Sequence, residues 1–378
     1  MGGGNGQLVF SYSNYPTCKL IPNLPQGKYV LVSNSDFTNA LPVKTLITNG
    51  IVHVQSVSPD GTKIIISTSF DELGNGPGYL SLVDLQSNAG LVTIAPYIYV
   101  NAYYGFPVAF WVDNSRLVYM GLYGGVYSIL MVNSDGTNLK RISKPDPNVF
   151  PTRILYADES GIYWSSSSSP NDFISSAKIW WSSIDGSQQK EIIINGFDPS
   201  STWQDSSSWY DYQISPDGKW ILWLNNPGEV YIGSLSNLNE GSKFIGRLPY
   251  PVYSILFSTD SNKAILLPTY GSETSYQGKY FPSYNNFPIY TVSFDNFELN
   301  KLFVPKYDER MDFSNASPLY EALSPDGRLI LINTFVIDHE KNRVTASKAI
   351  LINLETQATS EFDSSCIRSY IHWLPTIK

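Results

Sequence analysis

Short apolar runs, each closed by a polar turn, recur along the whole chain. Val57-Ser58-Pro59-Asp60-Gly61-Thr62-Lys63 runs into Ile64-Ile65-Ile66. Ile214-Ser215-Pro216-Asp217-Gly218-Lys219 runs into Trp220-Ile221-Leu222, and Leu323-Ser324-Pro325-Asp326-Gly327-Arg328 runs into Leu329-Ile330-Leu331. Each phrase predicts a tight hairpin: proline presets φ, aspartate bonds its own backbone, and glycine accepts positive φ. Weaker copies centre on Asp113, Asp158 and Asp260. The turn aspartates 60, 113, 158, 217, 260 and 326 stand 43 to 66 residues apart.

A second phrase, a strand, a polar turn and another strand, follows each of these. Examples are Tyr79–Asp84 before its Ser87-Asn88-Ala89-Gly90 turn, and Ser128–Val132 before Asn133-Ser134-Asp135-Gly136. Each unit therefore predicts four antiparallel strands, A to D. Four-stranded units at this period describe the blades of a β-propeller.

The two ends complement one another. The N-terminal stretches 6–12, 27–32 and 43–47 read as strands B, C and D without an A, and 366–376 reads as an A strand where the chain stops. The expectation is an all-β, seven-bladed propeller with one blade shared by both termini. Residues 1–6 form a flexible leader and 7–378 a single domain; six blades with a decorated N-terminus is the alternative. The start of strand A lies beside the end of an antiparallel strand B, so Cys18 and Cys366 are expected to form a disulfide.

The serine-proline-aspartate-glycine turns, each followed by an aliphatic strand, resemble the propeller repeats of the TolB-like family. The same repeat occurs in the propeller domains of prolyl oligopeptidase-type peptidases. The resemblance implies the fold along nearly the whole chain and says little about activity, because many functions use this scaffold. TolB itself carries a separate N-terminal domain before six blades, and the peptidases carry a catalytic domain; neither is read in this sequence. Oligogalacturonate lyases are also similar but use a histidine-rich metal site. Here the histidines are His53, His339 and His372, which fall at unrelated blade positions and argue against that activity.

Composition narrows the partner. Lysine plus arginine is 25 against 33 for aspartate plus glutamate, a net charge of -8, which disfavours nucleic acid. Only 15% of residues are charged, so serine, asparagine, threonine and tyrosine must supply much of the polar surface. Two cysteines exclude a cysteine-only zinc site, and no apolar run is long enough to span a membrane. Gly2-Gly3-Gly4-Asn5-Gly6 resembles the segment after the lipidated cysteine of many bacterial lipoproteins. That implies a periplasmic or cell-surface protein, with any lipid tether lying outside this sequence; an ordinary flexible leader is the alternative.

No nucleophile elbow, zinc-protease helix, phosphate loop or dinucleotide fingerprint is present, and no cofactor or metal is expected. The candidate chemistry lies in the D-to-A connections, which gather at one face of a propeller. These carry Tyr103 and Tyr104; Trp203, Asp205, Trp209, Tyr210 and Asp211; and Tyr307, Asp308, Tyr320 and Glu321. Arg153, Arg368 and Tyr370 occupy comparable places. Aromatic residues give rigid amphipathic contact area, and adjacent charges orient a polar ligand. The B–C connections share this face, including the tract from Ser165 to Ser169 and residues 271–287. The expected function is non-enzymatic binding of an envelope protein or glycan, as a scaffold. The alternative is a carbohydrate-active enzyme, a glycoside hydrolase or lyase, using Asp205, Asp211, Asp308 or Glu321 as acid and base.

Overall fold

The computed structural model describes residues 7–374 except 15–20, 22, 35–38, 47–50, 70–74, 88–90, 102–107, 145, 147–148, 168–177, 196–211, 226–227, 238–239, 249–251, 259, 269–273, 277–278, 282–287, 304–310, 313–321, 339–342, 365 and 368–370. Seven antiparallel blade sheets follow one another around a ring, and a separate two-stranded sheet pairs Thr274–Tyr276 with Lys279–Phe281. Numbered from the turn at Asp60, blade 1 holds Ile51–Val57, Lys63–Ser69, Asn75–Asp84 and Val92–Asn101 as strands A to D. Blade 7 is built from both ends of the chain, in the order Leu41–Leu46, Gly27–Asn34, Gln7–Asn14 and His372–Trp373. The expected shared blade is thus present, and the six-bladed alternative is excluded.

The join is short and specific. Leu8 pairs with Trp373 and Val9 with His372, while Tyr12 bridges Ile367. The Leu374 amide donates to the Gln7 carbonyl at 2.8 Å, and the Ser13 amide to the Cys366 carbonyl at 3.0 Å. Cys366 is buried and disulfide-bonded; Cys18, named above as its partner, lies outside the described residues. The leader, residues 1–6, lies outside them as well.

The innermost strands touch in cyclic order: His372–Trp373, Ile51–Val57, Ala109–Trp111, Phe150–Asp158, Tyr212–Ile214, Val252–Phe257 and Ala322–Leu323. Blade 6 departs from the simple plan. Its A position is split into Met311–Asp312 and Ala322–Leu323, which pair with opposite ends of Leu329–Asp338.

The core is a set of seven apolar seams, one between each pair of neighbouring blades. Side chains alternate across a strand, so a blade buried on both faces needs apolar residues at consecutive positions. Ile64 and Ile66 accordingly pack toward blade 7, and Ile65 packs toward blade 2. The pattern repeats in blade 4, where Ile221 and Trp223 face blade 3 while Leu222 and Leu224 face blade 5.

The recurring turns are hydrogen-bond cassettes. Ser58 Oγ donates to Asp60 Oδ1 at 2.6 Å, and the same carboxylate oxygen accepts from the Thr62 amide. Ser58 Oγ also accepts from the Lys63 amide, closing the turn. Ser215–Asp217, Ser258–Asp260 and Ser324–Asp326 make the same 2.6 Å bond. Neighbouring turns touch. The Asp60 amide donates to Asn114 Oδ1 and the Asp217 amide to Ser261 Oγ. Gly218 sits at φ +69°, and a Cβ there would lie 2.7 Å from the Tyr156 ring of blade 3.

The serine tract differs from its expected loop. Ser165, Ser166 and Ser167 belong to strand Gly161–Ser167 and are buried. Trp164 and Trp180 stack at 5.7 Å, and their indole N–H groups donate to Ser182 and Ser166. Within the tract, Ser166 serves as the acceptor that the half-buried Trp180 indole needs. The histidines also differ from the expected scatter. His53 and His372 lie on the innermost strands of adjacent blades, and His372 Nε2 lies 3.1 Å from the Val54 carbonyl oxygen. Burial pulls both imidazoles down to about 4.

Three outcomes test these arrangements. Phe10→Ala, at a fully buried seam position beside the join, is expected to lose about 3 to 5 kcal/mol in urea unfolding. Gly218→Ala combines a left-handed backbone with a ring clash and should lower the melting temperature, whereas Gly124→Ala, with open space around its Cβ, should meet backbone strain alone. The histidine pKa values are lowered, so stability is full above about pH 6.5 and falls as the pH drops toward 4, by about 1.4 kcal/mol per pH unit for each histidine. Melting curves between pH 7 and pH 5 should show that slope, and His53→Gln with His372→Gln should flatten it; an unchanged slope would contradict the assignment.

Candidate functional site

The two ends of the ring have different chemistry. The A–B and C–D turns share one end, and their carboxylates are engaged by their own turns. Burial alone would raise the Asp113 carboxyl, but bonds from Ser115 and Arg116 prevail and hold it at about 2. The hydroxyl of Ser183, then that of Ser187, holds Asp185 well below the usual carboxylate range. Asp60, Asp217 and Asp260 are lowered in the same way, with turn hydrogen bonds outweighing a burial effect of opposite sign. A carboxylate that must stay ionised to close its turn is a poor general acid at neutral pH.

The opposite end carries the B–C turns and the starts of the A strands. Of the residues singled out there from the sequence, Arg153 lies among those described. It is half-buried in Phe150–Asp158, opposite Ser165, whose Oγ lies 2.9 Å from Thr152 Oγ1. Tyr103, Tyr104, Trp203, Asp205, Trp209, Tyr210, Asp211, Tyr307, Asp308, Tyr320, Glu321, Arg368 and Tyr370 lie outside the described residues. So do the four carboxylates considered as an acid–base set. Among the described residues, no group of three or more His, Cys, Asp or Glu side chains could hold a metal ion.

One feature of this end went unread in the sequence. In blade 2, Arg116–Tyr123 and Val126–Asn133 pair along their full length, to Tyr123 opposite Val126. Gly124 and Gly125 form the two-residue turn at φ +60° and +82°, as a type I′ hairpin requires. The tip is apolar and open: Leu122 is 38% exposed, Tyr123 44% and Val126 38%. Two adjacent glycines between apolar runs are the signal that would have found it.

No family model matches this sequence, and no curated protein matches it. Solved structures do resemble its fold. A functionally unknown protein from Desulfotomaculum acetoxidans aligns at TM-score 0.52 and 11% identity, over 98% of both chains. An oligogalacturonate lyase from Vibrio parahaemolyticus aligns at 0.50 and 12% identity, over 86% of this chain and 87% of its own. TolB from Acinetobacter baumannii aligns at 0.48 and 13% identity, over 98% of this chain and 67% of its own. At such identities the resemblance is one of fold alone: this chain is a seven-bladed β-propeller.

Proposed function

We propose that this chain is a non-enzymatic propeller that binds a protein or glycan on the end carrying its B–C turns and D–A connections. The observation that carries this reading is the exposed apolar hairpin Leu122–Val126, which projects at that end. A turn there gains nothing in folding by presenting a leucine, a tyrosine and a valine to water, whereas an interface does. The aromatic D–A segments named from the sequence, which lie outside the described residues, are expected at the same end. The turn aspartates at the far end serve the fold, which separates the binding end from the structural one.

The location that fits is extracytoplasmic. Support comes from the low share of charged residues, 15%. Among the described residues no helix is long and apolar enough to cross a membrane.

Glycan and peptide arrays probed with the whole chain test the reading. Selective capture is expected, weakened about tenfold or more by Tyr123→Ala or by the pair Trp209→Ala and Tyr210→Ala. Release of reducing sugar from a captured polysaccharide, abolished by Asp205→Asn or Asp211→Asn, would instead establish catalysis. Capture of neither ligand class would overturn the proposal.

A further inference from the structure

The outer edge of blade 1 differs from every other. Propellers leave only short, protected sheet edges, and six of the blades conform. Their outermost strands are two to six residues long, and each carries at least one charged residue: Lys44, Arg141, Lys190, Lys243, Lys301 and Glu361. A charge on an edge strand discourages a further strand from pairing there. The outermost strand of blade 1, Val92–Asn101, has ten residues and no charge.

The far half of this strand is also poorly supported by its own sheet. Residues 98–101 pair with 75–78, so Ile98 lies opposite Gly78, Tyr99 opposite Pro77 and Val100 opposite Gly76. Glycine offers no cross-strand side chain, and proline has no N–H for the ladder. Strand B ends at Ser69, opposite Gly78, so beyond that point the described residues form a two-stranded ribbon. Such a ribbon is marginal by itself, and a third strand stabilises it. Among the described residues Val92–Asn101 pairs with Asn75–Asp84 alone; it touches Arg116–Tyr123 of blade 2 without pairing to it. The N–H and C=O groups on its outer side are therefore open to a partner strand.

Position and composition identify the partner. An outermost strand lies on the convex rim of the ring, the part that a second ring reaches first. Two copies pairing antiparallel about a two-fold axis bring residues 97–101 against the same residues of the copy. A charge in that stretch would lie beside its own image, and Tyr97, Ile98, Tyr99, Val100 and Asn101 hold none. Aromatic and β-branched residues are also the types that gain from cross-strand pairing. The same blade exposes Tyr79 (41%) and Leu91 and Val92 (38% each), apolar surface that a paired copy can cover. We propose that this chain forms a two-fold dimer in which the Val92–Asn101 strands of two copies pair antiparallel, centred on residues 97–101, and join two blades into one continuous sheet. This goes beyond the binding-end reading and does not depend on it.

Sedimentation velocity and hydrogen exchange of the whole chain test this. Between about 1 and 100 μM the monomer should pass into a dimer, as expected of a small interface. Over the same range the amides of residues 97–101 should change from fast exchange to slow. Ile98→Lys and Val100→Lys should each weaken association about tenfold or more, because each sets like charges in the paired strands. Leu41→Lys, at an exposed position on the outer strand of blade 7, should leave association unchanged. If either strand variant melts well below the unaltered chain, the concentration dependence of exchange in the unaltered chain decides. A monomer at every concentration would overturn the proposal. So would a dimer that forms without protecting residues 97–101, a dimer indifferent to both strand variants, or protection that does not change with concentration.

Discussion

The fold depends on the closure of a ring by a strand of two residues. His372–Trp373 completes blade 7, and blade 7 in turn supplies one wall of two seams. An open ring would expose Leu8, Phe10, Tyr12 and Val9, all essentially fully buried in the closed form. The hydrogen bonds of so short a strand are few. Most of its contribution comes from the apolar area that its position covers, with Ile371 and Trp373 packing toward blade 6 and Leu374 toward blade 1. Ring closure is therefore a packing event that backbone pairing directs.

The turn cassettes answer a different problem. Seven blades must be held at a constant angle, and at the A–B end the turns of neighbouring blades bond to each other through Asn114 and Ser261. The glycines of two full copies of the turn leave room for the neighbouring blade, Gly218 for Tyr156 and Gly327 for Lys263. This use of aspartate for turn closure frees the other end from structural duty. The asymmetry follows from chain direction: hairpin turns of fixed length occupy one end, and connections of variable length occupy the other.

Blade number, strand order and the shared blade were legible because they rest on local chemistry. The Ser-Pro-Asp-Gly phrase marks a hairpin wherever it stands, and consecutive isoleucines mark a strand buried on both sides. The burial of Ser165–Ser167 was not legible, because a serine tract reads as loop until Trp164 and Trp180 are placed beside it. The relation of His53 to His372 was hidden for a similar reason. Residues more than three hundred positions apart become neighbours only once the ring closes.

Shared fold at 11% identity with the functionally unknown Desulfotomaculum acetoxidans protein has a physical basis in these same features. A propeller needs alternating burial, turn chemistry and a closing strand, and each tolerates many residue choices. The end carrying the B–C turns is constrained by none of them. An exposed apolar hairpin tip runs against folding economy, and that is why it carries more information about function than the core does. The core states how the ring is held. The places where the ring tolerates a cost state what it is held for.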